Sequence, residues 1–76
     1  MSTRPRRVVF ALFPGCEIMD VAGPMQAFHE AATFGVPYEI VHAAATPAVR
    51  TAQGIELAGL VPLPDVGPND RVIVPG

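Results

Sequence analysis

The sequence predicts an α/β fold built on a parallel β-sheet, and three observations carry that expectation. Two runs, "RVVFALF" at 7–13 and "RVIV" at 71–74, are continuous, apolar and β-branched, and each is followed by Pro-Gly. A short apolar run closed by a turn signal is the pattern of a strand buried on both faces. Between the first run and the alternating segment "YEIVHAA" at 38–44 lies a stretch of helix formers, "PMQAFHEAATF" at 24–34. That order is β-α-β, in which a crossover helix makes the flanking strands parallel.

The elements follow in turn. Residues 1–6 form a basic N-terminal arm, with Arg4 and Arg6 preceding Arg7. Arg7 to Phe13 is the first strand. The helix is expected from Pro24 to Phe34, with Met25, Phe28, Ala31 and Ala32 on its apolar face. Pro24 suits the first helical position, where its missing N–H costs nothing, and Gly35 suits the left-handed cap. Tyr38 to Ala44 is the second strand. "VRTAQGIEL" at 49–57 then breaks the pattern, and Gly54 offers the positive φ of a hairpin turn. "PLPDVGPND" at 62–70 holds three of the nine prolines, which allows no more than a single helical turn around Asp65 to Val66. Arg71 to Gly76 supplies a third parallel strand. Three parallel strands with one helix leave edges and a whole face open. Residues 7–76 therefore read as an incomplete α/β domain.

Composition narrows the function classes. Half of the 76 residues are hydrophobic, more than so short a chain can cover. The formal net charge is −2 and all five basic residues are Arg, so no broad basic surface advertises nucleic acid; the arm's arginines are read as keeping the first strand's end solvated. A single cysteine excludes an internal disulfide and makes a reducing cytoplasm the default. No apolar stretch approaches the ~18 residues of a membrane span. No second His or Cys stands at ligand spacing, and "FPGCEIMDVAG" has neither the glycines nor the lysine of a phosphate loop, so no metal or cofactor is expected.

Four segments, "VVFALFPGCEIMDVAGPMQAF", "YEIVHAA", "VRTAQGIEL" and "DRVIVPG", together resemble, in order and spacing, the opening of a ThiJ/PfpI-type domain. This is the class I glutamine-amidotransferase-like group, whose fold is a flavodoxin-like three-layer sandwich. The resemblance covers nearly all of residues 7–76, and its most specific parts are "D-x-x-G-P" at 20–24 and the closing "VIVPG". The combination of Asp with "AGP" looks most like two bacterial branches. One is the ligand-sensing domain that precedes an AraC-type helix-turn-helix in transcription regulators; the other is the isonitrile hydratase branch.

The resemblance implies a role for Asp20. In the family, the acid at this position lies just past the first strand and hydrogen-bonds a cysteine thiol on a later strand-to-helix elbow. A partly desolvated carboxyl shares a proton readily with such a neighbour. The competing reading is an ordinary helix N-cap. Gly23 and Pro24 are read as pocket backbone: Pro24 separates a short turn carrying Asp20 from the helix, and Gly23 permits close approach. That sets the acid at the carboxyl end of a buried strand, where open α/β sheets keep their ligands. Cys16 reads as a small buried apolar residue, because the neighbouring Glu17 disfavours a thiolate. Glu17 is placed on the loop rim, His29 in solvent, and His42 at the second strand's end, facing water.

The leading expectation is thus the N-terminal part of a ligand-sensing domain from an AraC-type regulator. It would bind a small molecule and touch DNA only through a downstream domain; the resemblance also implies a homodimer. The alternative is part of a cysteine-dependent hydratase or amidase-like enzyme with Asp20 as acid partner of a thiol beyond Gly76. On either reading these 76 residues alone are catalytically inactive.

Overall fold

The computed structural model describes residues 6–76. Its elements are β1 (Arg6–Ala11), α1 (Ile18–Thr33), β2 (Tyr38–Ala43), β3 (Val49–Arg50), β4 (Glu56–Leu57) and β5 (Arg71–Ile73). The expected order of β-α-β, hairpin and β is present. β1 is central, with β2 and β5 both parallel to it. β3 and β4 form a separate antiparallel pair. The first five residues of the basic arm lie outside the described residues; Arg6 belongs to β1, in register with Tyr38.

Period-2 alternation sorts the sheet's side chains. Val8 and Phe10 share a face with Ile40 of β2 and Ile73 of β5, by register. That face receives α1, through Val21, Met25 and Phe28. Val8, Val9, Phe10 and Cys16 are fully buried, as a central strand and a small apolar residue should be. Phe10, Phe28 and Tyr38 stack edge to face, with ring centroids 6.4 and 5.0 Å apart. β2 gains a further partner: Val61 N–H donates to the His42 carbonyl and Ala44 N–H to the Val61 carbonyl, which makes a parallel bridge from Ala43 to Val61.

Of three expectations, two need correction and one is met within its limit. First, α1 begins at Ile18, not Pro24, and runs through Pro24. A proline there cannot donate to the carbonyl of Asp20, an interior cost of about 3 kcal/mol. Long-range bonds hold the added first turn: Ile18 N–H donates to Oε1 of Gln53 at 3.0 Å, and Glu17 N–H to the Gly76 carbonyl at 3.0 Å. Val21 packs under it, fully buried. Second, the 62–70 segment keeps within its limit of one helical turn, since none forms at Asp65 to Val66. The chain instead turns at Pro68 and Asn69, closed by Asp70 N–H on the Gly67 carbonyl at 3.1 Å, with Pro68 at the position that suits its fixed φ. Third, His42 does not face water with both ring nitrogens. Its Nε2 is buried.

The helix end matches expectation. Gly35 takes φ +97°, its N–H donates to Ala32 and that of Val36 to Ala31, a paired C-terminal cap that a positive-φ glycine makes possible. Gly54 likewise takes φ +85° in the hairpin loop.

The turn at Pro68 and Asn69 also anchors the sheet's amino end. Arg7 donates to Oδ2 of Asp70 at 2.7 Å and to the Asp65 carbonyl. The bound Arg7, and then the Gly67 N–H, hold the Asp70 carboxyl below its usual range; the hydrogen bond to Asp70 raises the Arg7 guanidinium in turn. A lowered carboxylate pKa stabilises the fold above the unfolded value, and the contribution disappears as pH falls through the native one. Asp70→Asn should therefore lower the melting temperature slightly at neutral pH. The gap from the unaltered chain should close in acid, below the native Asp70 pKa. An offset that stays constant over that range would assign Asp70 a packing role only.

Candidate functional site

The carboxyl ends of β1 and β5 converge with the first turn of α1 and the tip of the β3–β4 hairpin. After β1 the chain leaves the sheet through Leu12 to Glu17, and the hairpin binds this connection. Gly15, at φ +87°, donates to the Arg50 carbonyl, and Ala52 N–H donates to the Cys16 carbonyl. Gln53 then bridges two groups: its Oε1 accepts from Ile18 N–H, and its Nε2 donates to Oε2 of Glu17 at 2.6 Å. Thr51, itself buried, steadies the loop: its N–H donates to the Ile55 carbonyl at 2.8 Å, and its hydroxyl oxygen accepts from the Ile55 N–H at 3.2 Å.

Asp20 lies in this first helical turn, exposed to solvent. The cap position is Glu17, so Asp20 is not the N-cap; its own N–H donates to the Glu17 carbonyl at 3.1 Å. Its carboxylate reaches over the end of β5. A Cβ placed on Gly76 would stand 3.4 Å from Oδ2 of Asp20, an ordinary van der Waals contact that sets the carboxylate directly beside this backbone. The arrangement presents an accessible carboxylate, favourably placed at a helix N-terminus, beside a bare backbone segment that leaves the sheet. It can accept hydrogen bonds from a ligand or hold a proton for a neighbouring group. The nearby thiol of Cys16 is fully buried in the core and free of disulfide, so it is not presented to that carboxylate's solvent side.

Gly23 and Pro24 stand further along the same helix. Pro24 is half-buried, while a Cβ on Gly23 would meet no atom within 4 Å. No neighbour among the described residues requires glycine there. His29 is exposed, as expected. Gln53 and Gly76 are the positions that sequence reasoning missed. Gln53 sits in a stretch legible only as a turn, and its two partners lie far away in sequence. Among the described residues no helix is long and apolar enough to cross a membrane.

The chain is similar to an uncharacterized protein in the cpoL 5' region of Streptomyces lividans, 33% identical over 78 residues. The similarity covers the whole of this chain and 55% of that protein, so the chain spans about half the length of the curated relative it matches. No family model matches the chain, and no solved structure matches it.

Proposed function

We propose that this chain is the N-terminal part of a ThiJ/PfpI-like, flavodoxin-like domain that senses a small molecule in an AraC-type bacterial transcription regulator. The observation that carries the reading is the meeting of Asp20 with Gly76 at the carboxyl edge of the parallel sheet. This is the edge at which α/β sheets gather ligand-binding groups. It joins the two most specific parts of the family resemblance, "D-x-x-G-P" and "VIVPG", which lie far apart in the sequence. The site in this reading is Asp20 with the backbone around Gly23 and Pro24, in a cytoplasmic protein that acts as a homodimer.

The second reading is a cysteine-dependent hydratase or amidase-like hydrolase. It is favoured by the exposure of the Asp20 carboxylate, which leaves room for a thiol brought to it by a later elbow. In the full-length protein, a helix-turn-helix pair after Gly76 supports the regulator, and an elbow cysteine with no further domain supports the enzyme.

Asp20→Ala tests both. In the regulator it should blunt the effector response and leave operator affinity unchanged, because the DNA contacts lie in another domain. In the enzyme it should cut turnover by roughly 10²- to 10⁴-fold, the range for loss of a positioned acid–base group. A folded Asp20→Ala protein with wild-type response and turnover would reduce Asp20 to a charge at a helix end.

A further inference from the structure

We propose that the first turn of α1 is a separable unit latched by Gln53, so that Asp20 stands beside Gly76 only while the hairpin tip is engaged. The latch adds a control on the position of the Asp20 carboxylate. It rests on the functional reading of Asp20 only for its consequence, because the latch itself is measured without any activity.

Three observations carry it. The first is a weak joint. Gly and Pro are the two poorest helix formers, and here they stand together, as Gly23 and Pro24, between the turn at residues 18–22 and the body of the helix. Pro24 offers no N–H to the Asp20 carbonyl. Packing does not demand the glycine, since a Cβ there would meet no atom within 4 Å. The joint is therefore a property of the backbone and not a concession to a neighbour.

The second is the clamp. The Gln53 side chain holds two adjacent residues at once, accepting from Ile18 N–H at 3.0 Å and donating to the Glu17 carboxylate at 2.6 Å. The bond to Glu17 has an ionised acceptor and is of the stronger kind. The turn has no side-chain cap of its own. The hairpin's other ties run to the connection before the helix, from Gly15 N–H to the Arg50 carbonyl and from Ala52 N–H to the Cys16 carbonyl. They keep the tip in place whether or not Gln53 is engaged.

The third is reversibility. Both Gln53 bonds lie exposed to solvent, so each group finds water when the clamp opens, and no buried orphan opposes opening. Val21, beneath the turn, is buried and fixes the pivot, while Met19 and Asp20 lie on the exposed side. Opening therefore carries the carboxylate away from Gly76 without unpacking the core.

The test is residue-resolved amide hydrogen exchange in the full-length protein. Asp20 and Val21 N–H both donate to the Glu17 carbonyl and report the turn, while Phe28 reports the body of the helix. Gln53→Met, of similar length without the polar atoms, should speed exchange at Asp20 and Val21 about tenfold, the effect of losing one good hydrogen bond. Phe28 should be unchanged. Glu17→Gln combined with Gln53→Glu exchanges donor and acceptor and should restore the rates of the unaltered protein. Pro24→Ala supplies the missing bond to Asp20 and should shrink the effect of Gln53→Met, a coupling that a double-substitution cycle measures. An unchanged Asp20 rate in Gln53→Met overturns the proposal. So does equal acceleration at Phe28, an exchanged pair that fails to restore the rates, or an effect of full size in the Pro24→Ala background. None of these rates depends on what Asp20 does: a latch that operates in a protein whose response survives Asp20→Ala would refute the functional reading and leave the latch standing.

Discussion

Purified as 76 residues, the chain should sediment as dimers and larger species in place of an 8.0 kDa monomer. Among the described residues the outer edge of β5 pairs with nothing, and its N–H and C=O groups form a template for another strand. The side chains there add to the effect: Val72 and Val74 are 44% and 66% exposed, and Phe34 at the far end of α1 is 85% exposed. A short β-branched segment with an open edge and one flanking arginine has little to oppose association. Val72→Lys combined with Val74→Lys should restore a monomer, because charge on an edge strand is the usual deterrent to edge pairing. Sedimentation and an amide proton–nitrogen spectrum decide the matter. A well-dispersed spectrum from an unaltered monomer, with a cooperative melt, would mean that these residues close a sufficient core of their own.

On that monomeric background, Phe10→Ala should remove about 3–5 kcal/mol of stability, the cost of truncating a buried phenylalanine. By the per-residue rule the whole stability of 76 residues amounts to only about 4–11 kcal/mol, so this one truncation removes a large share of it. The effect is large because Phe10 is fully buried on the central strand and contacts both the helix, through Phe28, and the β2 imidazole of His42. Tyr38 is the chain's single tyrosine, stands against Phe28 at 5.0 Å and reports the melt by fluorescence in a chain without tryptophan. Val36→Ala, at a half-exposed position beyond the helix, serves as the control and should change stability by less than about 0.5 kcal/mol. If the two substitutions cost the same, the core does not lie where Phe10 sits.

The three sheet strands were readable because nothing distant was needed to define them. "RVVFA", "YEIVHA" and "RVI" are apolar or alternating runs with turn residues on each side, and only their ends differ from the structure, by a residue or more. Gly35 and Gly54 were readable for the same reason, since a positive φ is a local demand. The start of α1 was not. Local rules favour Pro24 as a first helical residue, and they are overruled by Gln53 and Gly76, whose contacts to Ile18 and Glu17 exist only once the hairpin and β5 are in place. The same holds for the site: the carboxylate was legible as a residue type in an odd setting, but its neighbour Gly76 was not. His42 was misplaced because alternation along β2 says which face a side chain takes, not whether the helix above leaves it a partner.

The bonds from Ile18 to Gln53 and from Glu17 to Gly76 also bear on the order in which the chain folds. A helix nucleus normally needs only its own neighbourhood, yet the first turn of α1 is secured by groups encoded near the middle and the end of the sequence. Closing such long loops carries an entropic cost before any contact rewards it. The segment after Pro24 can form early with its local glycine cap, whereas the turn bearing Asp20 must wait for β5 to dock. During synthesis, the acid reaches its final position only after Gly76 has emerged, later than the locally capped helical segment that follows Pro24.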